Sequence, residues 1–389
     1  FLAAHGYITR QEHARAFVGN GFRPLENLGL GAPKMQNSSF WKAKRVLLTG
    51  HSGFKGGWLS LWLAEMQADV YGISLSPDNN PNLFDAANVA SVINSSVFCD
   101  ISNRDALAQH VTAINPEIVF HLAAQPLVRA SYRDPLLTFD TNFMGTAHLL
   151  NALRECSELK CAVMITTDKV YKNQEWLWPY RENEALGGHD PYSASKAASE
   201  HVISSFRDSF FAEKGVSISS ARAGNVIGGG DWSEDRLLPD AVRAWSSGRT
   251  LEVRNPNAVR PWQHVVEPLY GYLTLAERSF DDASLAGAYN FGPSHEGTDD
   301  VRFVAELAAS KFGGGKVVFG AAQNALHEAK TLRLDSSKSR IQLGVKPVWS
   351  LQESIERTMK WYRKFLDGAD ARKLCLADID DFDKRLPLL

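Results

Sequence analysis

The chain has 389 residues, 44% of them apolar and 22% charged, with a formal net charge of -2. That length exceeds what one hydrophobic core commonly organises, so one large and one smaller domain are expected. Near-neutral charge without a long basic run argues against a broad nucleic-acid footprint, and no apolar stretch is long enough to cross a bilayer. Cys99, Cys156, Cys161 and Cys375 show neither C-x-x-C nor zinc-like spacing. They read as small buried side chains of a cytoplasmic protein, with no disulfide and no metal expected.

Residues 1–34 differ from the rest. They are rich in glycine, carry the polar run Thr9-Arg10-Gln11-Glu12-His13 and contain no signal-peptide core. We expect an extension outside the fold, disordered or foreign to the natural chain, with Met35 standing just before the first convincing strand.

From Lys44 the organisation is regular. The β-rich run Lys44 to Thr49 enters Gly50-His51-Ser52-Gly53-Phe54-Lys55-Gly56, and an apolar helical pattern follows: Trp58, Leu59, Leu61, Trp62, Leu63, Met66. Val70 to Leu75 is the next strand. Strand, glycine turn, helix and strand make a mononucleotide-binding unit, in which G-x-x-G-x-x-G lets the backbone approach a pyrophosphate at a helix N-terminus. Gly50, Gly53, Phe54, Lys55 and Gly56 are the expected contacts. The second strand ends without the acid that commonly binds the adenosine ribose; Asp78 lies slightly beyond, and no Arg stands there for a 2′-phosphate. NAD is therefore preferred over NADP. His51 and Lys55 occupy positions where smaller or apolar residues are usual. Lys55 either meets the pyrophosphate or faces solvent, and the loop is expected to hold NAD loosely.

The alternation continues through helix Arg104 to Ile114, strand Glu117 to Ala123, helix Asn142 to Arg154, strand Cys161 to Thr166, a helix with Tyr192 and Lys196, and strand Val216 to Ala221. This predicts an α/β fold: a Rossmann-type, doubly wound parallel sheet over residues 35–222, with segments near 255–292 returning to it. Residues 223–389 are expected to form mainly a smaller substrate-binding lobe. Ligands of such sheets lie at the carboxyl ends of the strands, where Asp100, Ile101, Ala123, Gln125, Thr167, Asp168 and Lys169 fall.

In Asp190-Pro-Tyr192-Ser-Ala-Ser-Lys196 the Tyr and Lys share one helix face, one turn apart. An ammonium at that spacing favours the phenolate and would enable Tyr192 to take a proton. Y-x-x-x-K alone is a weak pattern; the nucleotide-binding unit upstream strengthens it. After Ala223 come the loop Gly228-Gly-Gly-Asp-Trp232 and Arg236, Arg254 and Arg260. Guanidinium groups match phosphate oxygens bidentately, so a diphosphate clamp is expected, Arg260 first among its members.

These motifs resemble the extended short-chain dehydrogenases/reductases that act on nucleotide-linked sugars. The general marks are Gly50-x-x-Gly53-x-x-Gly56, His121-Leu-Ala-Ala124, Asn142-x-x-Gly145-Thr146, Tyr192-x-x-x-Lys196 and Arg222-x-Gly-Asn225-Val226. Narrower marks point to the branch that dehydrates CDP-linked glucose. They are Gly50 to Trp58, Ala124-Gln-Pro-Leu-Val-Arg129, Thr167-Asp168-Lys169, Arg222 to Trp232 and Arg260-Pro-Trp-Gln-His264.

The resemblance implies an internal NAD redox cycle. Tyr192 would act at the carbon-4 hydroxyl, Thr167 on the carbon-4 oxygen, and Lys196 on the nicotinamide ribose as well as on Tyr192. Asp168 would serve loss of water, and Lys169, where most dehydratases carry Glu, would be either a carbon-5 base or a charged stabiliser. Asn225, Arg129, Arg236 and Arg260 would hold a nucleotide-sugar substrate. The resemblance also implies a homodimer or homotetramer, with helices Asn142 to Arg154 and Tyr192 to Phe211 pairing across a two-fold axis. Deoxysugar synthesis of the kind that supplies lipopolysaccharide O-antigen is the implied setting. A 4-epimerase or another dehydratase of the superfamily is the nearest competing reading; a non-catalytic NAD sensor is a competitor of another class.

Overall fold

The computed structural model describes residues 38–294, 300–320 and 330–386; residues 1–34 lie outside them. The strands, in chain order, are β1 (Arg45–Thr49), β2 (Asp69–Ser74), β3 (Ser95–Phe98), β4 (Ile118–His121), β5 (Cys161–Ile165), β6 (Ser217–Ala223), β7 (Asn225–Ile227), β8 (Leu251–Val253), β9 (Trp262–His264), β10 (Ala288–Phe291) and β11 (Val317–Phe319). Seven of them form a parallel sheet in the order β10-β6-β5-β4-β1-β2-β3. Strand order reverses beside β1, which opens a crevice at the carboxyl ends of β1 and β4. The Rossmann-type sheet predicted from the alternation is present.

The central strands are buried on both faces, as β4 and β5 are throughout. Their apolar runs therefore pack in two layers. Trp58, Leu59, Trp62 and Leu63 of the Phe54–Glu65 helix lie in one, and Leu107, Val111, Leu149, Leu150 and Ile203 of three other helices lie in the other. Two further pairs stand apart from the main sheet: β7 with β9, and β8 with β11. The chain after β6 thus crosses from the main sheet into small parallel pairs before β10 returns to it, and Arg236, Arg254 and Arg260 lie on this excursion.

Two helices depart from the even periodicity expected of them. Asp140–Met144 is a π turn preceding the Gly145–Leu153 helix, and Arg207–Phe211 is another that follows Pro191–Phe206. Side chains take up the widened turn at Asn142: its carbonyl accepts from Thr146 Oγ1 at 2.6 Å and Ser199 Oγ at 2.8 Å. Its amide nitrogen donates to Ser195 Oγ at 2.9 Å and to the Gln125 carbonyl at 3.1 Å. Asn142 is 1% exposed and ties the helix of Tyr192 to the loop after β4. Such single π turns concentrate near functional sites.

The C-terminal helices are fastened by Glu267, whose Oε1 accepts from the backbone N–H groups of Val348 at 3.0 Å and Trp349 at 2.7 Å. Burial pushes this carboxyl up to about 8 from its ordinary 4.5, against those two donors. A carboxyl whose folded-state pKa is raised contributes stability that is complete below its unfolded value and lost as pH rises through about 8. We therefore expect the melting temperature to fall between about pH 5 and 8 and to level off above, and Glu267→Gln to flatten that decline. Parallel thermal melts of the two proteins across this range check it; identical slopes would refute it.

Candidate active site

The glycine turn is built as expected of a phosphate cradle. Gly50 sits at φ +79°, and a Cβ there would lie 2.6 Å from the Ala123 nitrogen. A Cβ on Gly56 would lie 2.0 Å from the Gly50 carbonyl oxygen, so neither position accepts a side chain. The Phe54–Glu65 helix starts at Gly53 with no side-chain cap and no acidic residue in its first turn. Its leading N–H groups therefore keep their affinity for an anion. These residues suit the pyrophosphate of a dinucleotide.

The sequence-derived contacts are not equally available. Asp100 and Ile101 follow β3, Asp100 Oδ1 accepting from the Ser102 N–H at 2.9 Å and Ile101 buried against Gly145. Ala123 donates its N–H to Thr49 Oγ1 at 3.3 Å. The Gln125 amide is engaged at both ends, giving a hydrogen bond to Thr138 Oγ1 at 2.9 Å and accepting one from the Leu127 N–H at 2.6 Å. It anchors its loop. Asp78 is exposed beyond the end of β2.

His51 does not face a phosphate. Its ring is completely buried beneath the loop, with Nε2 2.7 Å from Ser96 Oγ, and burial pulls its pKa down to about 4. The ring occupies the space that Gly72 leaves: a Cβ on Gly72 would meet it at 2.4 Å.

At the carboxyl end of β5, Thr167 begins a single 3-10 turn, Asp168–Val170. Asp168 is wholly buried; its Oδ1 accepts from Thr167 Oγ1 at 2.9 Å and from Lys169 Nζ at 3.1 Å. Its Oδ2 has no partner. Across from it stand Tyr192, 8% exposed, and Lys196, 4% exposed, in the first half of the Pro191–Phe206 helix. Asp190 caps that helix, accepting from the Ser193 N–H at 2.9 Å.

The electrostatics differ from the sequence expectation. Burial pushes the Tyr192 phenol up to about 12; hydrogen bonding with Thr167 and the Arg236 charge oppose this without overcoming it. Lys196 is not among the largest of these influences. The ammonium donates instead to the Ile165 carbonyl at 3.2 Å, and its own pKa is drawn down to about 8 by burial, against Glu200. Four residues of spacing put Tyr192 and Lys196 on one face, yet desolvation outweighs their attraction. Tyr192 is at rest a neutral phenol.

Lys55 is the residue that the pattern placed least well. Neither turned to solvent nor confined to the phosphate turn, it shares the catalytic centre, with its Nζ 6.0 Å from the centre of the Tyr272 ring. Burial, then the charges of Arg236 and Lys196, bring its pKa down to about 7, Asp168 opposing and Lys169 assisting. Four basic side chains, Lys55, Lys169, Lys196 and Arg236, thus share a cleft with Asp168, and Arg236 has Asp231 as a further counter-charge. The only sequence signal was a lysine in a position usually apolar.

Among the substrate-side residues, Asn225 Oδ1 is buried without a partner. Arg236 Nη1 donates to Asp231 Oδ2 at 2.9 Å, and Arg260 Nη1 donates to the carbonyls of Val259 at 2.9 Å and Lys330 at 3.3 Å. Arg129 pairs with Asp235 at 3.2 Å, and Arg254 reaches the same acid at 3.9 Å. Arg236, Arg254 and Arg260 of the expected clamp thus have different partners: Asp231, Asp235 and the carbonyls of Val259 and Lys330. Among the described residues all four cysteines are free, and no group of side chains could hold a metal.

Comparison with known proteins decides the family. A family model described as GDP-mannose 4,6 dehydratase matches residues 47–358. A CDP-glucose 4,6-dehydratase of Salmonella typhimurium is 44% identical over 354 residues, covering 90% of this chain and 98% of that protein. The chain belongs to the nucleotide-sugar 4,6-dehydratases. A second member, dTDP-glucose 4,6-dehydratase 1 of Escherichia coli K12, is 26% identical and covers 82% of this chain and 92% of its own length. Among solved structures, a dTDP-glucose 4,6-dehydratase of Streptomyces venezuelae with NAD and TYD bound has a TM-score of 0.71 at 23% identity, over 82% of this chain and 97% of that one. A UDP-glucose-4-epimerase of Stenotrophomonas maltophila with NAD bound has a TM-score of 0.72 at 20% identity, over 83% and 99%. The fold is therefore common to dehydratases and epimerases and does not by itself choose between the two reactions.

Proposed function

We propose that the protein converts CDP-D-glucose to CDP-4-keto-6-deoxy-D-glucose: oxidation at carbon 4, loss of water across carbons 5 and 6, and return of hydride to carbon 6. The observation that carries this reading is the 44% identity with a CDP-glucose 4,6-dehydratase over 90% of the chain. The cradle at Gly50, Gly53 and Gly56 and the buried Lys196 suit NAD. Bound NAD would take up the hydride from carbon 4 and give it back at carbon 6.

The chain's own residues divide the proton work. Tyr192 takes the carbon-4 hydroxyl proton as that carbon is oxidised, and Thr167 orients the oxygen. The resulting ketone acidifies carbon 5. Asp168, with Oδ2 unpartnered in a dry site, delivers the proton with which the carbon-6 oxygen leaves as water. Lys169, with Nζ 3.1 Å from Asp168 Oδ1, supplies Asp168 with that proton and takes the one leaving carbon 5, so the ion pair ends the elimination as it began. Asn225, Arg236 and Arg260 hold the sugar and its diphosphate.

Residues 35–222 serve as the NAD-binding domain and 223–389 mainly as the nucleotide-sugar lobe. Exposed Leu136, Leu137, Met144 and Phe210, on or next to the two helices with π turns, favour a homodimer or homotetramer. We place the enzyme in the cytoplasm, in deoxysugar synthesis for O-antigen; among the described residues no helix is long and apolar enough to cross a membrane.

Incubation with NAD+ and, separately, CDP-, dTDP-, GDP- and UDP-glucose tests the assignment, through the ultraviolet band that a 4-keto-6-deoxy sugar develops in alkali. A band with CDP-glucose alone is the expected result. Recovery of an epimerised sugar without the band would overturn it.

Lys55 also predicts weak cofactor retention. NAD+ brings its cationic nicotinamide ring to a cleft already holding four basic side chains, a local repulsion set against the attraction of its two phosphate charges. Protein purified at pH 7 without added cofactor should carry well under one NAD per chain, and Lys55→Met should retain several-fold more. Chromatographic quantitation of released NAD measures this. Near-full occupancy of the unaltered protein would sink the idea.

A further inference from the structure

Two arginines that a diphosphate could have claimed are held by a carboxylate. Asp235 adopts a left-handed backbone conformation, φ 58°, in the turn ahead of the Leu237–Ser246 helix. Successive side chains diverge there. Arg236 enters the catalytic centre and bonds Asp231, whereas Asp235 receives Arg129 from the Val128–Arg133 helix and Arg254 from the residue following β8. Both guanidinium groups approach one oxygen, Oδ1, at 3.2 and 3.9 Å. The acid's side chain is 27% exposed and that of Arg254 53%, so the pair is open to a ligand from solvent, and Asp235 lies one residue along the chain from Arg236.

A carboxylate is a poor neighbour for a diphosphate, since like charges repel and it cancels one of the two cations. Its presence calls for a ligand with a donor to offer. Cytosine has one. Its pairing edge presents the N4 amine as donor, followed by N3 and O2 as acceptors, and Asp accepting from cytosine N4 is a recurrent contact. An Asp beside an Arg presents the complementary series of acceptor and two donors.

We infer that Asp235 and Arg254 read the base of the substrate, Asp235 Oδ2 accepting from cytosine N4 and Arg254 donating to N3 and O2, with Arg129 holding the acid in place. The inference rests on the CDP-glucose reading above. It also supplies discrimination. Uracil or thymine would set its O4 against the carboxylate and its N3–H against the guanidinium, two repulsive contacts where cytosine makes two attractive ones. Preference of about ten- to a hundredfold is the scale of such a pair.

Calorimetric titration of CDP and of UDP into the NAD-supplemented protein tests this. The unaltered protein should bind CDP at least tenfold more tightly than UDP. Asp235→Ala should weaken CDP about tenfold while changing UDP less than threefold. Asp235→Asn, able to turn its amide nitrogen toward O4, should narrow the preference further in favour of UDP. Arg254→Met should cost CDP more than UDP, whereas Arg260→Ala should weaken both alike. Equal weakening of the two nucleotides by Asp235→Ala, in protein that melts normally, would overturn base reading, as would an unchanged preference. If the unaltered protein itself binds both equally and forms no keto sugar from CDP-glucose, the functional reading fails and this inference with it. Keto-sugar formation from CDP-glucose with an Asp235-independent preference would sink the inference alone.

Discussion

Tyr192→Phe should lower kcat on CDP-glucose by about two to four orders of magnitude, the range that a positioned acid–base group supplies. Little else should change. Among the described residues Thr167 is the hydrogen-bond partner of the phenol oxygen, and phenylalanine fills the same buried space. The size of the loss follows from the desolvation described above. A phenol held near 12 does not ionise on its own at neutral pH; proton transfer to it must be concerted with departure of hydride from carbon 4. Removing the oxygen therefore removes the group assigned to accept the carbon-4 hydroxyl proton. Keto-sugar yield in alkali, paired with a thermal melt, gives the answer. Activity within tenfold of the unaltered enzyme, with an unchanged melt, would show that another group takes the proton.

Arg222→Met should be the most damaging single change to the fold, costing about 3–5 kcal/mol. Arg222 and Glu200 are each 4% exposed or less and are joined twice, Nε to Oε1 at 2.9 Å and Nη2 to Oε2 at 2.8 Å. Glu200 also accepts from Thr166 Oγ1 at 2.5 Å and Ser220 Oγ at 2.7 Å, and Arg222 Nη1 donates to Tyr171 at 2.9 Å. Burial alone would raise the Glu200 carboxyl; the Arg222 charge and these hydrogen bonds overcome burial and hold it below 4.5. A depressed carboxyl stabilises above its unfolded pKa and ceases to do so as pH falls through the folded one, so acid should weaken the native protein more than the variant. Methionine would leave Glu200 charged and uncompensated in a dry interior. Replacing both, Glu200→Leu with Arg222→Met, should recover most of the loss, since well-packed apolar residues often match a buried pair. Denaturant titration of the single and double variants separates the cases. A single variant within 1 kcal/mol of the parent would refute the argument.

The sequence spoke most clearly where local patterning and tertiary placement agree. Helix Arg104–Ile114 falls where its apolar spacing put it, and the Gly50 turn occupies the strand–helix junction that its glycines demand. It spoke least about side chains whose setting is made by distant segments. Lys55 reads as a loop cation, and only the approach of Arg236 and Lys169, over a hundred residues away, makes it a member of the catalytic centre. Tyr192 fails in the opposite sense: the partner one turn away was visible, while the burial that outweighs it was not. Glu267 and Asp235 carried no pattern at all. Each acquires its partners from segments that follow or precede it by many residues.

The imidazole under the phosphate loop carries a consequence for how this loop can vary. Position 72 lacks a side chain and position 51 supplies one, so the two share a single volume. Shrinking His51 alone would leave a hollow beneath the turn and strand the Ser96 hydroxyl; enlarging Gly72 alone would drive a methyl into the ring at 2.4 Å. Homologues that carry a small residue at the first site should therefore carry a bulkier one at the second, a compensated exchange between two strands' worth of chain. Grafting a conventional nucleotide loop onto this scaffold would have to transplant both positions together.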